Sequence, residues 1–204
     1  MIEIWQARLD ICPQLEKEYW AVLNAEEQER ANRFVKPEDQ TRFIAGRGIL
    51  RSLLGQYLNV AAASIKFDYL PQGKPILGQK HSFSKLEFNV SHSHNLALYV
   101  ISNHNVGIDL ELIHPFPQVL SLARRFFTEQ EFADLVSLPS QQQERVFFQI
   151  WTAKEAYLKA TGEGLSGLQN IEISINQTSQ QLDVTRSQVK VRLYSFIPRD
   201  HFIA

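Results

Sequence analysis

The chain of 204 residues carries one cysteine, Cys12, so it can close no disulfide on itself and cannot build a multi-cysteine zinc site. A lone thiol fits a reducing compartment. Long apolar runs are missing as well. The longest, from Leu96 to Ile101, is six residues, where a spanning helix needs about 20. Met1 to Arg8 mixes apolar with polar and charged side chains and lacks the apolar centre of a secretory signal. The expectation is a soluble cytoplasmic protein without a membrane association. Charge of either sign is not in excess: 21 Lys and Arg stand against 22 Asp and Glu, a formal net charge of −1. That excludes a surface basic as a whole, and with it a general affinity for nucleic acid. There is no Gly-x-x-x-x-Gly-Lys-Ser/Thr phosphate loop and no Gly-x-Ser-x-Gly nucleophile elbow. What remains is 44% hydrophobic residues, enough for a globular core of one domain or two small ones.

Local charge says more than the total. Between Gln28 and Arg51 lie Arg30, Arg33, Lys36, Arg42, Arg47 and Arg51, against Glu29, Glu38 and Asp39. The segment is a candidate anion site, or a solvated helix face. The order of elements then reads twice. Ile2–Ile11 alternates as a strand, helices follow over 26–35 and from Pro37 to Gly55, and strand-like runs cover Ser64–Tyr69, Leu86–Val90 and Leu96–Ile101. Val106–Leu112 reads as a strand again, followed by helices over Pro117–Phe126, Glu129–Leu138 and Gln143–Ala160, with Thr128 and Glu131 forming a capping box. Strands are expected at Asn170–Ile175 and Val189–Phe196, with another starting at His201. This predicts an α+β protein of two similar lobes, residues 1–102 and 103–204, each a small sheet packed on helices, together forming one unit.

Four stretches can carry chemistry. In Val106-Gly107-Ile108-Asp109-Leu110-Glu111, strand alternation sends Val106, Ile108 and Leu110 to one face and both acids to the other. Two carboxylates side by side repel unless a cation lies between them, and a hard cation such as Mg²⁺ suits oxygen ligands and phosphates. Gly107 leaves room for a ligand to approach. An exposed face with two solvated acids is the alternative. In Trp151-Thr152-Ala153-Lys154-Glu155-Ala156-Tyr157-Leu158-Lys159, Glu155 and Lys159 are spaced i and i+4. They can form a surface ion pair. They can also supply a third metal ligand or general base and a cation for phosphate. Lys154 has the weaker claim, as a solvated or structural side chain. In Phe88-Asn89-Val90-Ser91-His92-Ser93-His94, Ser91 and His92 follow a strand end and can donate to phosphate oxygens, or form an ordinary turn. Pro71-Gln72-Gly73-Lys74-Pro75 is a turn that holds Lys74 in place.

Taken in order, these stretches resemble the 4′-phosphopantetheinyl transferases, in particular the two-lobed, monomeric surfactin-synthetase-activating type. The resemblance rests on Gly73-Lys74-Pro75, Phe88–Ser93, Val106–Glu111, Arg125-Phe126-Phe127-Thr128-Glu129-Gln130-Glu131, Trp151–Ala160 and Gly162-x-Gly164-Leu165, and covers the chain from about Arg30 onward. It implies two lobes related by a pseudo-twofold. It implies transfer of the 4′-phosphopantetheine arm of coenzyme A to a serine of an acyl or peptidyl carrier protein, with adenosine 3′,5′-bisphosphate as the other product. Such carriers serve fatty acid, polyketide and nonribosomal peptide synthesis. By position, Asp109, Glu111 and Glu155 match Mg²⁺ ligands, and Glu155 matches the base for the carrier serine, directly or through a metal-bound water. Lys159 and His92 match contacts to the coenzyme A phosphates, Lys74 and Ser91 contacts near the adenosine end, and Arg30 and Arg42 the residues that receive the 3′-phosphate. Arg124, Arg125, Phe116 and Phe126 could offer the carrier a basic and apolar patch. Two other readings share some of these residues: a different Mg²⁺-dependent enzyme of nucleotide diphosphates, and a module that binds coenzyme A or carrier without chemistry.

Overall fold

The structure is a computed structural model that describes residues 1–176, 182–187 and 190–204. The fold is α+β, and the chain divides into two compact units, Met1–Phe88 with His94–His104, and Asn89–Ser93 with Asn105–Ala204.

In the first unit, β1 (Ile2–Arg8) runs antiparallel to β5 (Leu96–Ser102), with Ile2 opposite Ser102 and Arg8 opposite Leu96. β5 is buried at every position, as its unbroken apolar run requires. The strand order is β1-β5-β4, and β4 (Glu87–Ser93) passes after Phe88 into the second unit. Three helices follow β1: α1 (Pro13–Val22), α2 (Ala25–Asn32) and α3 (Pro37–Leu58). Proline opens α1 and α3, where its missing N–H has no intrahelical partner to lose. Asn24 and Glu27 form a capping box at the start of α2. α1 is absent from the sequence reading, and none of its residues is fully buried, although Tyr19 and Trp20 pack against Leu23, Ala31 and Ile44. α3 runs on past Gly55 to Leu58 and ends at Asn59, which adopts the left-handed conformation with φ 52°. Gly48 lets α1 lie against α3: a Cβ there would fall 2.3 Å from that of Tyr19. Arg51, fully buried, donates through Nε to Glu27 at 2.7 Å and through Nη1 to the carbonyls of Ala62 and Ile65. A short hairpin, β2 (Phe67–Tyr69) with β3 (Pro75–Leu77), ends the helical part and carries Lys74 in its turn.

In the second unit, β6 (Glu111–Leu112) pairs with β9 (Phe202–Ile203), and β7 (Glu172–Ile175) with β8 (Leu182–Arg186). Three helices supply its core: α4 (Val119–Phe126), α5 (Glu129–Ser137) and α6 (Ser140–Thr161). Phe147, Phe148 and Ile150 of α6 pack with Val119, Ala123, Phe127 and Leu135, and one turn later Ala153, Tyr157 and Leu158 pack with Leu168, Ile171 and Ile173. Several expected strands change. Only Glu111–Leu112 of the 106–112 segment pairs as a strand, and 190–196 carries no strand, although Phe196 and Ala204 exchange two backbone hydrogen bonds. Val189 lies outside the described residues. β4 continues to Ser93 instead of turning after Val90; the turn comes at His94, with φ 53°. Gly162–Gly167 has the spacing of a dinucleotide-binding loop, but Gly162 closes α6 where that fingerprint would open a helix after a strand. No helix among the described residues is long and apolar enough to cross a membrane.

Candidate active site

The second unit brings β4, the 106–112 segment and α6 together through side chains. Asn89, Ser91 and Ser93 alternate along β4 and so share one face. Each bonds to the acidic segment. The Asn89 side-chain oxygen accepts from Ile108 N at 3.0 Å. Ser91 Oγ donates to Asp109 Oδ1 at 2.8 Å. Ser93 Oγ donates to Glu111 at 3.3 Å and accepts from Leu112 N at 3.1 Å. A period-two row of short polar side chains thus holds residues 108–112, where a regular backbone ladder was expected. The alternation of the two acids matches the alternation of the two serines. Ile108 and Leu110 are buried, as predicted.

α6 approaches the same segment at Gly107. A Cβ on that glycine would fall 2.0 Å from the Ala156 carbonyl oxygen and 2.5 Å from Ala160 N. The space beside Gly107 is therefore filled by the helix backbone, which corrects the expectation of room for a ligand. The close approach sets Lys159 against Asp109: Nζ lies 2.7 Å from Oδ1 and 2.9 Å from Ser91 Oγ. Ser91, Asp109 and Lys159 form a closed triangle. The i, i+4 pair with Glu155 does not form; Lys159 turns to Asp109 instead.

The charges are unbalanced. Asp109 is 6% exposed, and its second oxygen, Oδ2, is buried with no hydrogen-bond donor on it. Burial first and the Asp109 charge second push the carboxyls of Glu111 and Glu155 above the usual carboxylate range, against the opposing pull of Lys159. Three acids thus face one lysine. A hard cation fits this donor set: an orphaned buried oxygen and two carboxyls raised by crowding both call for positive charge. Among the described residues no three His, Cys, Asp or Glu side chains converge into a coordination shell, so the acids are neighbours without being a formed metal cage. His92 stays exposed; partial desolvation and then the Lys159 charge lower its pKa below the ordinary 6.5, with Asp109 opposing.

The remaining predicted residues lie in the first unit. Arg30 is exposed and rests its guanidinium 5.2 Å from the centre of the Phe43 ring. Arg42, which immediately precedes Phe43 in sequence, bonds to Asp39 at 3.2 Å across one turn of α3. Lys74 is half-buried, and desolvation lowers its pKa, partly offset by Glu87. Two residues without a role in the sequence reading, Asn89 and Ser93, belong to the site. The polar alternation Asn-x-Ser-x-Ser was the signal that could have found them.

Two family models match the chain: the 4′-phosphopantetheinyl transferase superfamily over residues 105–203, and the N-terminal region of 4′-phosphopantetheinyl transferase over 13–104. The chain is similar to 4′-phosphopantetheinyl transferase HetI of Nostoc sp., 48% identical over 178 residues, covering 87% of this chain and 75% of that one. It is similar to 4′-phosphopantetheinyl transferase psf-1 of Bacillus pumilus, 33% identical over 85% of this chain and 74% of the other. It also resembles 4′-phosphopantetheinyl transferase Sfp of Bacillus subtilis, at 27% identity over 88% and 80%.

Proposed function

Because the chain belongs to the 4′-phosphopantetheinyl transferase superfamily, we propose that it transfers the 4′-phosphopantetheine arm of coenzyme A to a serine hydroxyl of an apo acyl or peptidyl carrier protein. The products are holo carrier protein and adenosine 3′,5′-bisphosphate. The observation that supports this most is the triangle of Ser91, Asp109 and Lys159, flanked by the raised carboxyls of Glu111 and Glu155.

The chain's own groups divide the work. A serine hydroxyl is a weak nucleophile and needs a base. Glu155 is that base: its raised pKa makes its carboxylate a better proton acceptor than an ordinary surface glutamate. Lys159, part-exposed beside Asp109, turns its donors to a diphosphate oxygen and adds positive charge where the leaving phosphate gains negative charge. His92 has a lowered pKa, so near pH 7 it serves as a neutral hydrogen-bond donor to phosphate. Lys74 offers its ammonium toward the adenosine end; Ser91, whose hydroxyl proton goes to Asp109, can meet that end only as an acceptor, and Arg30 and Arg42 receive the 3′-phosphate. Asp109, Glu111 and Glu155 would hold Mg²⁺, which when bound offsets the charge of the diphosphate and of the departing bisphosphate. We assign the protein to the cytoplasm as a monomer that meets its carrier transiently, with no nucleic-acid or membrane partner.

The test separates this reading from another nucleotide-diphosphate enzyme and from a silent binding module. Calorimetric titration is expected to show coenzyme A binding that ATP does not displace. Chromatography is expected to show adenosine 3′,5′-bisphosphate released in step with modified carrier. Glu155→Gln is expected to keep coenzyme A binding and to lose about 10²-fold or more of the product rate. Equal binding of ATP, or tight coenzyme A binding with no bisphosphate, contradicts it.

A further inference from the structure

Lys154 sits beside the proposed base on α6 and has no part in the chemistry above. It is fully buried, and its ammonium uses all three donors: Glu131 Oε2 at 2.9 Å, the Leu168 carbonyl at 2.6 Å and the Ile171 carbonyl at 2.6 Å. Phe127 lies over it with the ring centre 5.8 Å from Nζ. Glu131 is 1% exposed and equally committed. Its Oε2 also accepts from Thr128 N at 2.8 Å, and its Oε1 from Ile173 N at 2.8 Å. One ion pair therefore ties together the start of α5, the middle of α6, the segment that follows α6 and the start of β7.

An arrangement of this kind is a poor source of stability, because well-packed apolar residues commonly do as well or better than a buried pair. What it does provide is a single rotational setting for α6. Three fixed acceptors around one Nζ leave the helix no freedom to turn about its axis at residue 154. The next residue is Glu155, and Lys159 lies about one turn on. Side-chain tips ride about 5–6 Å from a helix axis, so a rotation of about 10° moves them by about 1 Å. A shift of about 1 Å in a reacting group is enough to cost on the order of 10²-fold in rate.

We propose that Lys154 and Glu131 are positioning residues for the transfer reaction: their buried pair fixes the rotation of α6 that faces Glu155 and Lys159 toward Asp109. The inference rests on the transferase reading of the same helix. It is tested with Lys154→Met and with Leu135→Ala, a core substitution in the same unit chosen as a control for lost stability. Both are assayed with coenzyme A, carrier and Mg²⁺ at a temperature well below unfolding. The expected result for Lys154→Met is a kcat lowered at least 10-fold with KM for coenzyme A within about threefold of wild type. A crystal structure of the variant is expected to show Lys159 Nζ drawn away from Asp109 Oδ1, from 2.7 Å to beyond 4 Å. Leu135→Ala keeps the wild-type kcat at an equal or greater loss of Tm. Where Lys154→Met does not fold, Glu131→Gln is measured the same way, with the same expectation. A folded variant with wild-type kcat and an unmoved Lys159 overturns the proposal. If the wild-type protein itself transfers nothing, the transferase reading fails, and the position of Lys159 in the variant still decides this one.

Discussion

Asp109 has two unlike oxygens: Oδ1 is shared by Ser91 and Lys159, while Oδ2 is buried without a donor. Removing the charge should therefore release Lys159 and leave the proposed cation site without its most buried carboxylate. Asp109→Asn is expected to lose at least 10²-fold in kcat/KM, and the loss should not be recovered by raising Mg²⁺, as a steady-state metal titration will show. Gly107→Ala is a steric counterpart. Its new methyl would lie 2.0 Å from the Ala156 carbonyl, so α6 must move. A cost of about 1–3 kcal/mol is expected in denaturant unfolding, with a kcat loss on the order of 10²-fold. His92 offers a titration. Its pKa is depressed in the folded protein, so the unfolded chain binds the proton more readily. Its contribution to stability rises as pH increases from the folded pKa to 6.5 and is flat above. NMR should place the imidazole midpoint below 6.5 in the free protein and higher once coenzyme A phosphates are bound. At this scale the two acids were legible, because i, i+2 spacing on an extended segment is a strong constraint. Lys154 was not, because nothing in its sequence neighbourhood distinguishes a fully buried lysine from a solvated one on the same helix.

At the scale of elements, the legible parts were those with local punctuation. α5 announces itself by Thr128 and Glu131, and the structure forms both bonds of that box. Thr128→Ala is expected to cost about 1 kcal/mol, read as a fall of about 2–4 °C in Tm. β5 is a continuous apolar run and is buried throughout. The elements that escaped have weak local signals. α1 buries none of its residues fully. Gly55 looked like a helix stop, yet it serves close packing, with a would-be Cβ 2.8 Å from the Val60 carbonyl, and the stop falls at Asn59. The acidic segment read as a strand because its side chains alternate. The bonds that hold it extended come from Asn89, Ser91 and Ser93, about twenty residues away in sequence and invisible to any local pattern.

At the scale of the molecule, the proposed roles fall into two sets, one in each compact unit. Arg30, Arg42 and Lys74 belong to the first and are proposed to recognise substrate; Asp109, Glu111, Glu155 and Lys159 belong to the second and are proposed to act on the reacting groups, together with the substrate contacts Ser91 and His92. Substitutions should separate kinetically. Arg42→Ala is expected to raise KM for coenzyme A about 10-fold with little change in kcat, and to shrink the preference for coenzyme A over its 3′-dephospho form. Glu155→Gln should do the reverse and lower kcat at nearly constant KM. The family was legible in the sequence because its motifs recur in order along most of the chain. The unit boundary was harder to read, since Asn89–Ser93 lies within one half of the sequence and packs with the other.

The most direct test of the account is the intact mass of apo acyl carrier protein and apo peptidyl carrier protein after incubation with this protein, coenzyme A and Mg²⁺, with EDTA in a parallel sample. The expected result is a gain of one phosphopantetheine arm on at least one carrier, abolished by EDTA. No gain on either carrier, in a sample that measurably binds coenzyme A, would contradict it.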